Sequence, residues 1–385
     1  MKPPSLPAPG LRALGLAAAL LACAAARAQQ PDIDSHQVNP DGSVTFRYYG
    51  PAARRVALTL DYDHHELAMA KGADGVWTLT TGPLRPELHM YAFAVDGTGI
   101  MDPLNPAVDT GIVFRTNTVW VHGAPQPWDL ADVPHGVVHH HVYRSAAIAG
   151  LPDGAEDYYV YTPPGYDAAG TSRYPVLYLL HGWSAVADAW MSGGQANRIL
   201  DNLIAQGRAV PMIVVMPLGY GDWSFVAGGL AQLKGESGLS NNLERFSTAL
   251  LKEIIPQVES AYRVSTTRED RAIAGLSMGG GQSAVIGLRH PHMFGWIGSF
   301  SGALLYRDFS VPLPSVGDGP APRLLWVACG TGDDLIGDNR RFVEWARSKG
   351  LHPVAVETPG IHNWPVWRDN LVQFAQLLFR PSAGP

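Results

Sequence analysis

The chain has 385 residues and a formal net charge of −6 at neutral pH, with 46% hydrophobic and 16% charged residues. This composition excludes an intrinsically disordered chain, and the length favours two domains over one small core. The 42 glycines and 31 prolines are dispersed without a repeat period, which indicates a folded protein that is rich in turns and loops.

The N-terminal segment has the features of an export signal. Lys2 and Arg12 precede an apolar run at 14–26, and Ala26 and Ala28 supply the small residues of a cleavage site. The apolar run is too short for a stable membrane anchor. We therefore predict a signal peptide at 1–28 and an exported protein, periplasmic or secreted. The less favoured alternative is a lipoprotein that carries its lipid on Cys23.

Removal of the signal peptide changes both the charge and the cysteine content. Three of the 28 Lys and Arg residues are lost with no acidic residue, so the mature net charge is near −9. That charge argues against nucleic acid or an anionic membrane as a partner. Cys329 becomes the one remaining cysteine, so no internal disulfide is expected. Because Cys329 stands in an apolar run, we expect a buried small hydrophobe and not a reactive thiol.

Residues 29–122 predict a small β-sandwich. Apolar and polar residues alternate at 44–48 and 56–60, Asp-Gly pairs mark the turns, and no helical period of useful length is present. The adjacent pair His64 and His65 could suggest a metal site. Neighbouring side chains of a strand point to opposite faces, however, so a solvated loop is the preferred interpretation.

A Pro-rich stretch at 123–136 is predicted to be the linker, and the second domain then covers 137–385. The triplet His139-His140-His141 is interpreted as a strand with alternating faces, because no second ligand cluster stands at zinc spacing. Beyond it, apolar strands alternate with helical patterns, which predicts a doubly wound, mostly parallel sheet with helices on both faces. The predicted strands are 158–161, 175–180, 211–216, 296–300, 324–329 and 353–357, with helices at 196–204, 243–258 and toward the C-terminus.

The second domain is organised around the sequence Gly275-Leu276-Ser277-Met278-Gly279. A short apolar strand enters it and a helix-compatible stretch at 282–289 leaves it. This context is the one in which Gly-x-Ser-x-Gly holds a nucleophilic serine at a sharp turn. Glycine on both sides of the serine allows the close approach of the backbone that such a turn needs. The alternative is a Gly-rich turn after an ordinary strand.

A serine hydroxyl becomes a good nucleophile only when a neighbouring base takes its proton, and that base needs a third group to orient it. In this type of sheet the acid and the histidine follow the serine along the chain, each on a loop after a later strand. Asp333 follows the strand that ends at 329, and His362 follows the strand that ends at 357. We therefore predict Ser277, Asp333 and His362 as the catalytic residues, with Asp334 as the second choice for the acid.

The oxyanion that forms in such a reaction needs backbone N–H donors. One predicted donor is the N–H of Met278, directly after the nucleophile. The other is the N–H of Trp183, in the loop that follows the strand at 176–180. His181, in the same loop, is predicted to have a structural role and not to act as a second base.

Residues 134–380 resemble the esterase D-like branch of the α/β-hydrolases. This branch contains feruloyl and acetyl-xylan esterases (carbohydrate esterase family one), S-formylglutathione hydrolases and siderophore esterases. The resemblance implies an α/β-hydrolase fold and assigns the acid to Asp333, in the Gly-Thr-x-Asp motif. The matching stretches are Val160-Tyr161-Thr162-Pro163-Pro164-Gly165-Tyr166, Leu177-Tyr178-Leu179-Leu180-His181-Gly182, Asp201-Asn202-Leu203-Ile204, Pro211-Met212-Ile213-Val214-Val215, Gly275-Leu276-Ser277-Met278-Gly279-Gly280, Cys329-Gly330-Thr331-Gly332-Asp333 and Pro359-Gly360-Ile361-His362-Asn363-Trp364.

The N-terminal domain resembles the early-set, glycogen-binding-like sandwich, an immunoglobulin-like β-sandwich that often precedes bacterial feruloyl esterases. The cues are Asp41-Gly42-Ser43-Val44-Thr45-Phe46-Arg47, Gly75-Val76-Trp77 and the stretch 91–97. No aromatic pair commits it to sugar binding, so a packing role is expected. One departure from the family lies in the second domain, where residues 151–157 replace a short turn and an arginine. That segment is expected to alter the wall of the cleft and the acyl specificity.

The predicted function is that of an exported serine carboxylic-ester hydrolase, a feruloyl (hydroxycinnamoyl) esterase that acts on plant xylan-derived fragments. The alternatives are an acetyl-xylan esterase, a siderophore esterase of the enterobactin type and, more distantly, a non-catalytic carbohydrate-binding protein. The expected partner is a small-molecule or oligosaccharide ester. No metal, cofactor, nucleic acid or membrane partner is expected beyond the lipid anchor on Cys23. Whether the Gly-rich stretch 223–240 forms a lid stays open.

Overall fold

The structure is a computed structural model that describes residues 31–63, 65–229 and 236–380. The predicted signal peptide, Cys23 and His64 lie outside the described residues, as do residues 230–235 of the Gly-rich stretch 223–240. Within the described ranges, no helix combines the length and the apolar character needed to cross a bilayer.

The N-terminal domain is a β-sandwich of two antiparallel sheets, as the alternating pattern predicts. One sheet has the order β1-β2-β6-β5, and the other has the order β4-β3-β7-β10-β9 with β8 paired to β7. Val44 and Phe46 point into the core between the sheets, while Thr45 between them is partly exposed. The strands are β1 (His36–Val38), β2 (Val44–Tyr49), β3 (Val56–Leu60), β4 (Leu67–Ala68), β5 (Ala70–Lys71), β6 (Val76–Thr80), β7 (Leu88–Val95), β8 (Thr98–Ile100), β9 (Val108–Asp109) and β10 (Thr116–Trp120).

The second domain is built on one eight-stranded sheet of order β11-β12-β14-β13-β15-β16-β17-β18. The first three of these are antiparallel neighbours and all later pairs are parallel, so the predicted doubly wound, mostly parallel sheet is confirmed. The strands are β11 (Val137–Arg144), β12 (Ala155–Thr162), β13 (Val176–Leu180), β14 (Ile213–Pro217), β15 (Arg271–Leu276), β16 (Trp296–Phe300), β17 (Leu324–Gly330) and β18 (Val354–Thr358).

Helices cover both faces of this sheet and bury its central strands. Every residue of β13, β14, β15 and β16 is buried, which explains their continuous apolar sequences. Cys329 in β17 is 2% exposed, as predicted, and burial raises the pKa of its thiol to about 12. The helices are α1 (Ala189–Ser192), α2 (Ala196–Ala205), α3 (Ser224–Ala227), α4 (Glu236–Ala249), a π-helical turn (Leu250–Ile254), α5 (Ile255–Ala261), α6 (Ser277–Arg289), α7 (Ile336–Ser348) and α8 (Trp364–Ala375).

The connection at 123–136 is packed against the second domain and is not a free spacer. Trp128 is 1% exposed and belongs to the core cluster on one face of the large sheet. The side-chain amide of Asn202 in α2 donates to the carbonyl oxygens of Pro127 (2.8 Å) and Asp129 (2.9 Å). These contacts hold residues 127–129 of the connection against the second domain.

A buried ion pair joins the two domains. Arg368 in α8 is 0% exposed, and its guanidinium donates to a carboxylate oxygen of Glu87 at 2.8 Å. The same guanidinium also donates to the carbonyl oxygens of Leu88 (2.8 Å) and Gly193 (2.7 Å), and it lies over the ring of Trp128. Helix α8 is therefore attached directly to the sandwich.

Breaking this pair from the sandwich side is expected to destabilise the whole protein. Glu87→Leu leaves the buried guanidinium of Arg368 without its carboxylate, and we expect the free energy of unfolding in urea to fall by about 3–5 kcal/mol. The double variant Glu87→Leu/Arg368→Leu removes both charges and is expected to recover most of that loss. Equal stabilities of the single and double variants would show that the unpaired guanidinium of Arg368 is not the cause of the loss.

A buried carboxyl group on β12, in the large sheet, makes the stability of the protein depend on pH. Glu156 in β12 stands opposite Tyr143 in β11, is 1% exposed, and neither carboxyl oxygen has a hydrogen-bond partner among the described residues. Burial, with smaller contributions from Asp157 and Glu253, raises the pKa of Glu156 from 4.5 to about 9. The native state therefore keeps a proton that the unfolded chain loses above pH 4.5. The free energy of unfolding falls as the pH rises from 4.5 to about 9.

Glu156→Gln removes this titration while it keeps the shape of the side chain. The difference in Tm between Glu156→Gln and the wild type is the quantity to compare. We expect this difference to be about 5 °C or more higher at pH 8 than at pH 5. Differential scanning fluorimetry at both pH values measures the difference, with the exposed Glu344→Gln as the control. If the Tm difference between Glu156→Gln and the wild type is the same at both pH values, the Glu156 carboxyl is ionised in the folded protein at both.

Candidate active site

Ser277 stands at the sharp turn between β15 and α6. Its backbone has a φ of 51°, a left-handed conformation that is strained for a serine. A Cβ at Gly275 would lie 2.6 Å from the carbonyl carbon of Gly279, and a Cβ at Gly279 would lie 2.5 Å from the carbonyl oxygen of His181. Both positions therefore require glycine, and the turn presents the Ser277 hydroxyl at the carboxyl end of a central strand.

The structure brings the three predicted side chains together. His362 Nε2 lies 2.9 Å from Ser277 Oγ, and His362 Nδ1 lies 2.8 Å from Asp333 Oδ2. Asp333 follows β17 and His362 follows β18, the next strand in the sheet. Asp333 is buried and faces His362, whereas Asp334, the second choice, is exposed.

Asp333 is held as a carboxylate facing the imidazole. Burial alone would raise the pKa of this carboxyl, but the hydrogen bond from His362 and the backbone N–H of Leu335 (2.8 Å) together hold the pKa below its ordinary value. An ionised Asp333 accepts the Nδ1–H of His362, which leaves the Nε2 lone pair free to accept the Ser277 hydroxyl proton.

The loop that carries His362 is tightly packed. The Trp367 ring stands edge-on to the imidazole at 5.0 Å between centroids, and Trp364 and Trp367 are 4% and 6% exposed. The side chain of Asn363 caps α8 by accepting the N–H of Val366. The imidazole therefore sits on a rigid support and keeps its orientation.

The loop after β13 lies directly on the serine. A Cβ at Gly182 would lie 3.2 Å from the Cβ of Ser277, and the carbonyl of His181 accepts the N–H of Gly279 at 3.1 Å. Trp183, the predicted oxyanion donor, is the next residue of this loop. The second predicted donor, the N–H of Met278, belongs to the first turn of α6, where N–H groups have no partner within the helix.

His181 has the structural role that its position suggested. Its Nε2 accepts the N–H of Gly219 at 2.8 Å, so Nδ1 carries the proton and donates to the carbonyl oxygen of Gly182 at 2.7 Å. Complete burial lowers the pKa of His181 to about 4. A neutral imidazole with both nitrogens occupied cannot serve as a second base.

An apolar cluster borders the serine, and we call it the cleft cluster. It includes Met278 and Trp183, and the Trp183 indole N–H donates to the carbonyl oxygen of Phe225 at 3.0 Å. Leu151, from the segment that departs from the family pattern, also belongs to it. The cleft cluster consists of Ala187, Leu218, Tyr220, Phe225, Val226 and Met278, with the partly buried Ile112, Leu151, Tyr159, Trp183, Val186, Trp223 and Leu239.

Sequence reasoning missed two contributors to this region. Ile112 of the N-terminal domain packs into the cleft cluster, and Ser184 binds the neighbouring residues of that domain. Contacts between residues about 70 positions apart leave no local pattern in the sequence, so no motif marks either residue.

The histidines that could suggest a metal have other partners. In β11, His140 stacks on Tyr159 and lies 2.8 Å from Asp157, while His141 stacks on Tyr158 on the other face. His65 pairs with Asp63 in an exposed loop. Over the described ranges, no three His, Cys, Asp or Glu side chains are grouped so that they could hold a metal ion.

Comparison with known families agrees with this geometry. Residues 153–378, more than half of the chain, match the profile of the family described as "Putative esterase". The chain belongs to this esterase family. Residues 34–110 of the esterase match carbohydrate-binding module 48, the isoamylase N-terminal domain, which confirms the predicted resemblance of the sandwich to a glycogen-binding-like module.

Two characterised relatives are similar to this esterase over different shares of the chain. The endo-1,4-β-xylanase/feruloyl esterase of Xylanibacter ruminicola is 31% identical over 91% of the chain. The chain spans 47% of the length of that relative. The acetyl esterase of Caldicellulosiruptor saccharolyticus is 24% identical over 54% of the chain and 84% of its own length.

Solved structures share the fold of the esterase. The ferulic acid esterase of the anaerobic fungus Anaeromyces mucronatus superposes with a TM-score of 0.56 and 24% identity, over 66% of this chain and 96% of that one. The enterobactin esterase of Shigella flexneri superposes with a TM-score of 0.65 and 18% identity, over 87% and 92%. The second match extends across both domains of the esterase.

Proposed function

We propose that the protein is a serine carboxylic-ester hydrolase, exported after cleavage of residues 1–28, that releases hydroxycinnamic acids such as ferulic acid from plant xylan fragments. The observation that carries the proposal is the continuous hydrogen-bonded chain from Ser277 Oγ through His362 to Asp333. Serine, base and orienting acid in this geometry are the parts that acyl transfer to a hydroxyl group requires.

The proposed reaction follows from these contacts. Ser277 Oγ attacks the ester carbonyl carbon while His362 Nε2 takes its proton, and the N–H groups of Met278 and Trp183 stabilise the oxyanion. His362 then returns the proton to the leaving alcohol as the carbon–oxygen bond breaks. A water molecule, activated by His362 in the same way, releases the acid from the acyl-enzyme and restores Ser277.

The cleft cluster supports an aromatic acyl group. The partly exposed aromatic side chains of Tyr159, Trp183 and Trp223 belong to one apolar group that also contains Met278, the neighbour of the nucleophile. A planar hydroxycinnamoyl group would bury apolar area against such a surface, whereas an acetyl group would bury little. The xylanase/feruloyl esterase relative, matched over 91% of this chain, supports the same choice.

A siderophore esterase is the second candidate function. The enterobactin esterase structure matches 87% of this chain, and the match includes the N-terminal sandwich. Catechol rings are also aromatic, so the cleft cluster alone does not separate the two substrates. An acetyl-xylan esterase and a non-catalytic carbohydrate-binding protein are the remaining alternatives.

A substrate panel on the purified protein tests the proposal. We expect labelling of Ser277 by a fluorophosphonate probe, and a kcat/KM for methyl ferulate at least about tenfold above that for p-nitrophenyl acetate after correction for leaving-group reactivity. Preference for a ferric tricatecholate ester would support the siderophore function instead. No labelling of Ser277 would favour a binding protein. N-terminal sequencing of protein exported by a bacterial host tests cleavage after Ala28.

Leu151 offers a direct test of acyl selection. Leu151→Ala opens the cleft cluster, and we expect kcat/KM for methyl ferulate to fall about fivefold while that for the acetyl ester changes less than twofold, in line with about 1 kcal/mol for one truncated apolar contact. Leu130→Ala, at a side chain that is 69% exposed, is the control. Equal losses for both esters would place Leu151 outside the acyl site.

A further inference from the structure

A segment of the N-terminal domain reaches the loop that follows β13. The N–H groups of Val113 (3.0 Å) and Phe114 (2.8 Å) both donate to the hydroxyl oxygen of Ser184, and the N–H of Ile112 donates to the Ser184 carbonyl oxygen at 2.6 Å. Gly111 adds an isolated β-bridge to Ala185. Four consecutive residues of one domain thus bind two consecutive residues of the other, and we call 111–114 the docking segment.

Ser184 has a conformation that depends on this contact. Its φ is 73°, in the left-handed region that a residue with a side chain rarely adopts, and it is 4% exposed. Its hydroxyl accepts two N–H groups from the docking segment, and its carbonyl accepts a third. The strained backbone of Ser184 is therefore stabilised by hydrogen bonds that come from another domain.

The docking segment is shaped for this contact. A Cβ at Gly111 would overlap the carbonyl oxygen of Phe114 and lie 3.1 Å from that of Ser184, so no larger residue fits there. The Phe114 ring stands edge-on to the Trp183 indole, with 5.9 Å between centroids. The segment therefore contacts both Ser184 and its neighbour Trp183.

Trp183 connects the docking segment to the reaction. Its backbone N–H is the predicted oxyanion donor, and the preceding Gly182 lies against the Cβ of Ser277. The Trp183 N–H lies in the peptide plane between Gly182 and Trp183, so its direction depends on how the chain is held on both sides of that plane. Because Ser184 follows Trp183 directly, the hydrogen bonds that hold Ser184 also restrict the direction of the Trp183 N–H.

We propose that the N-terminal domain positions the oxyanion donor of the ester site through this docking segment, with Ser184 and Phe114 as positioning residues. The proposal rests on the proposed ester hydrolysis and adds a role for the first domain beyond packing. An oxyanion donor stabilises the transition state and not the bound ester, so its displacement lowers kcat and leaves KM nearly unchanged.

Three variants separate positioning from simple packing between the domains. Ser184→Ala removes the acceptor of two N–H groups and keeps the φ requirement. Phe114→Ala removes the ring that contacts Trp183. Asp369→Asn is the matched control, because it removes the negative charge from a different contact between the domains, the pair of Asp369 with Arg85 at 3.2 Å.

We expect Ser184→Ala to lower kcat for methyl ferulate about tenfold and Phe114→Ala about threefold, with KM within twofold of the wild type. Loss of a complete oxyanion donor lowers kcat by about 10²–10³, and a misdirected donor keeps part of its effect. An arylboronic acid, which forms a tetrahedral adduct on the serine, should bind each variant more weakly by the same factor. Asp369→Asn should retain wild-type kcat and boronic acid affinity.

Folded Ser184→Ala and Phe114→Ala proteins with wild-type kcat and boronic acid affinity would overturn the positioning role. The positioning role would also be overturned if Asp369→Asn lost as much kcat as Ser184→Ala and Phe114→Ala, since the loss would then result from any weakening of the domain interface. Thermal melts of all variants identify the folded ones, and Phe114→Ala, with a side chain 47% exposed, decides the question if Ser184→Ala does not fold. A wild-type protein without labelling or turnover would overturn the proposed function, and this inference with it.

Discussion

Ser277→Ala is expected to lower kcat for ester hydrolysis by about 10⁶-fold, and His362→Ala by a similar factor. The two side chains share one proton across 2.9 Å, so removal of either leaves the other without a function. The double variant should therefore lose little more than each single variant. Steady-state rates with methyl ferulate, measured with enzyme purified apart from host esterases, provide the three values.

Multiplicative losses in the double variant would contradict a single catalytic unit. Such a result would mean that Ser277 and His362 act in separate steps or at separate sites. Circular dichroism and thermal melts serve as the control for folding, because Ser277 has a positive φ and alanine keeps that backbone requirement.

Asp333→Asn is expected to lower kcat by about 10⁴-fold with little change in KM. An asparagine amide can donate to His362 Nδ1, which would place the proton on Nε2 and remove the acceptor for the Ser277 hydroxyl. Asp334→Asn is the matched control: it makes the same chemical change one residue along the chain, at an exposed side chain. We expect it to retain the wild-type rate.

A large loss in Asp334→Asn with an active Asp333→Asn would reverse this assignment. An intermediate result in which both variants lose about tenfold would indicate a general effect of negative charge near the imidazole. The 2.8 Å contact between Asp333 and His362 favours the first outcome, a loss confined to Asp333→Asn.

The parts of the site that could be predicted from sequence are those with a local signature. The turn at Ser277 needs glycine at 275 and 279 for steric reasons, so the motif and the geometry are two descriptions of one constraint. Asp333 and His362 follow consecutive parallel strands, and the order of the strands along the chain places them at one edge of the sheet. The central strands could be predicted from their continuous apolar sequences, because a strand that is covered on both faces buries every one of its side chains.

The features that sequence reasoning did not find depend on contacts between distant residues. The composition of 123–136 is typical of a linker, yet Trp128 within it is buried against the second domain. The contact of Ser184 with residues 113 and 114 is set by how two separate folds meet, and a polar residue in a loop has no pattern that reveals its partner.

Helix α8 carries Trp367, which supports the imidazole, and Arg368, whose charge is neutralised by a residue of the first domain. Unfolding of either domain alone would break the pair of Arg368 with Glu87 and expose the interface around it, so we expect the two domains to melt as a single cooperative unit. By linkage, a ligand bound to either domain then protects both from denaturation. A sugar bound to the sandwich would therefore also raise the free energy of unfolding of the domain that carries Ser277.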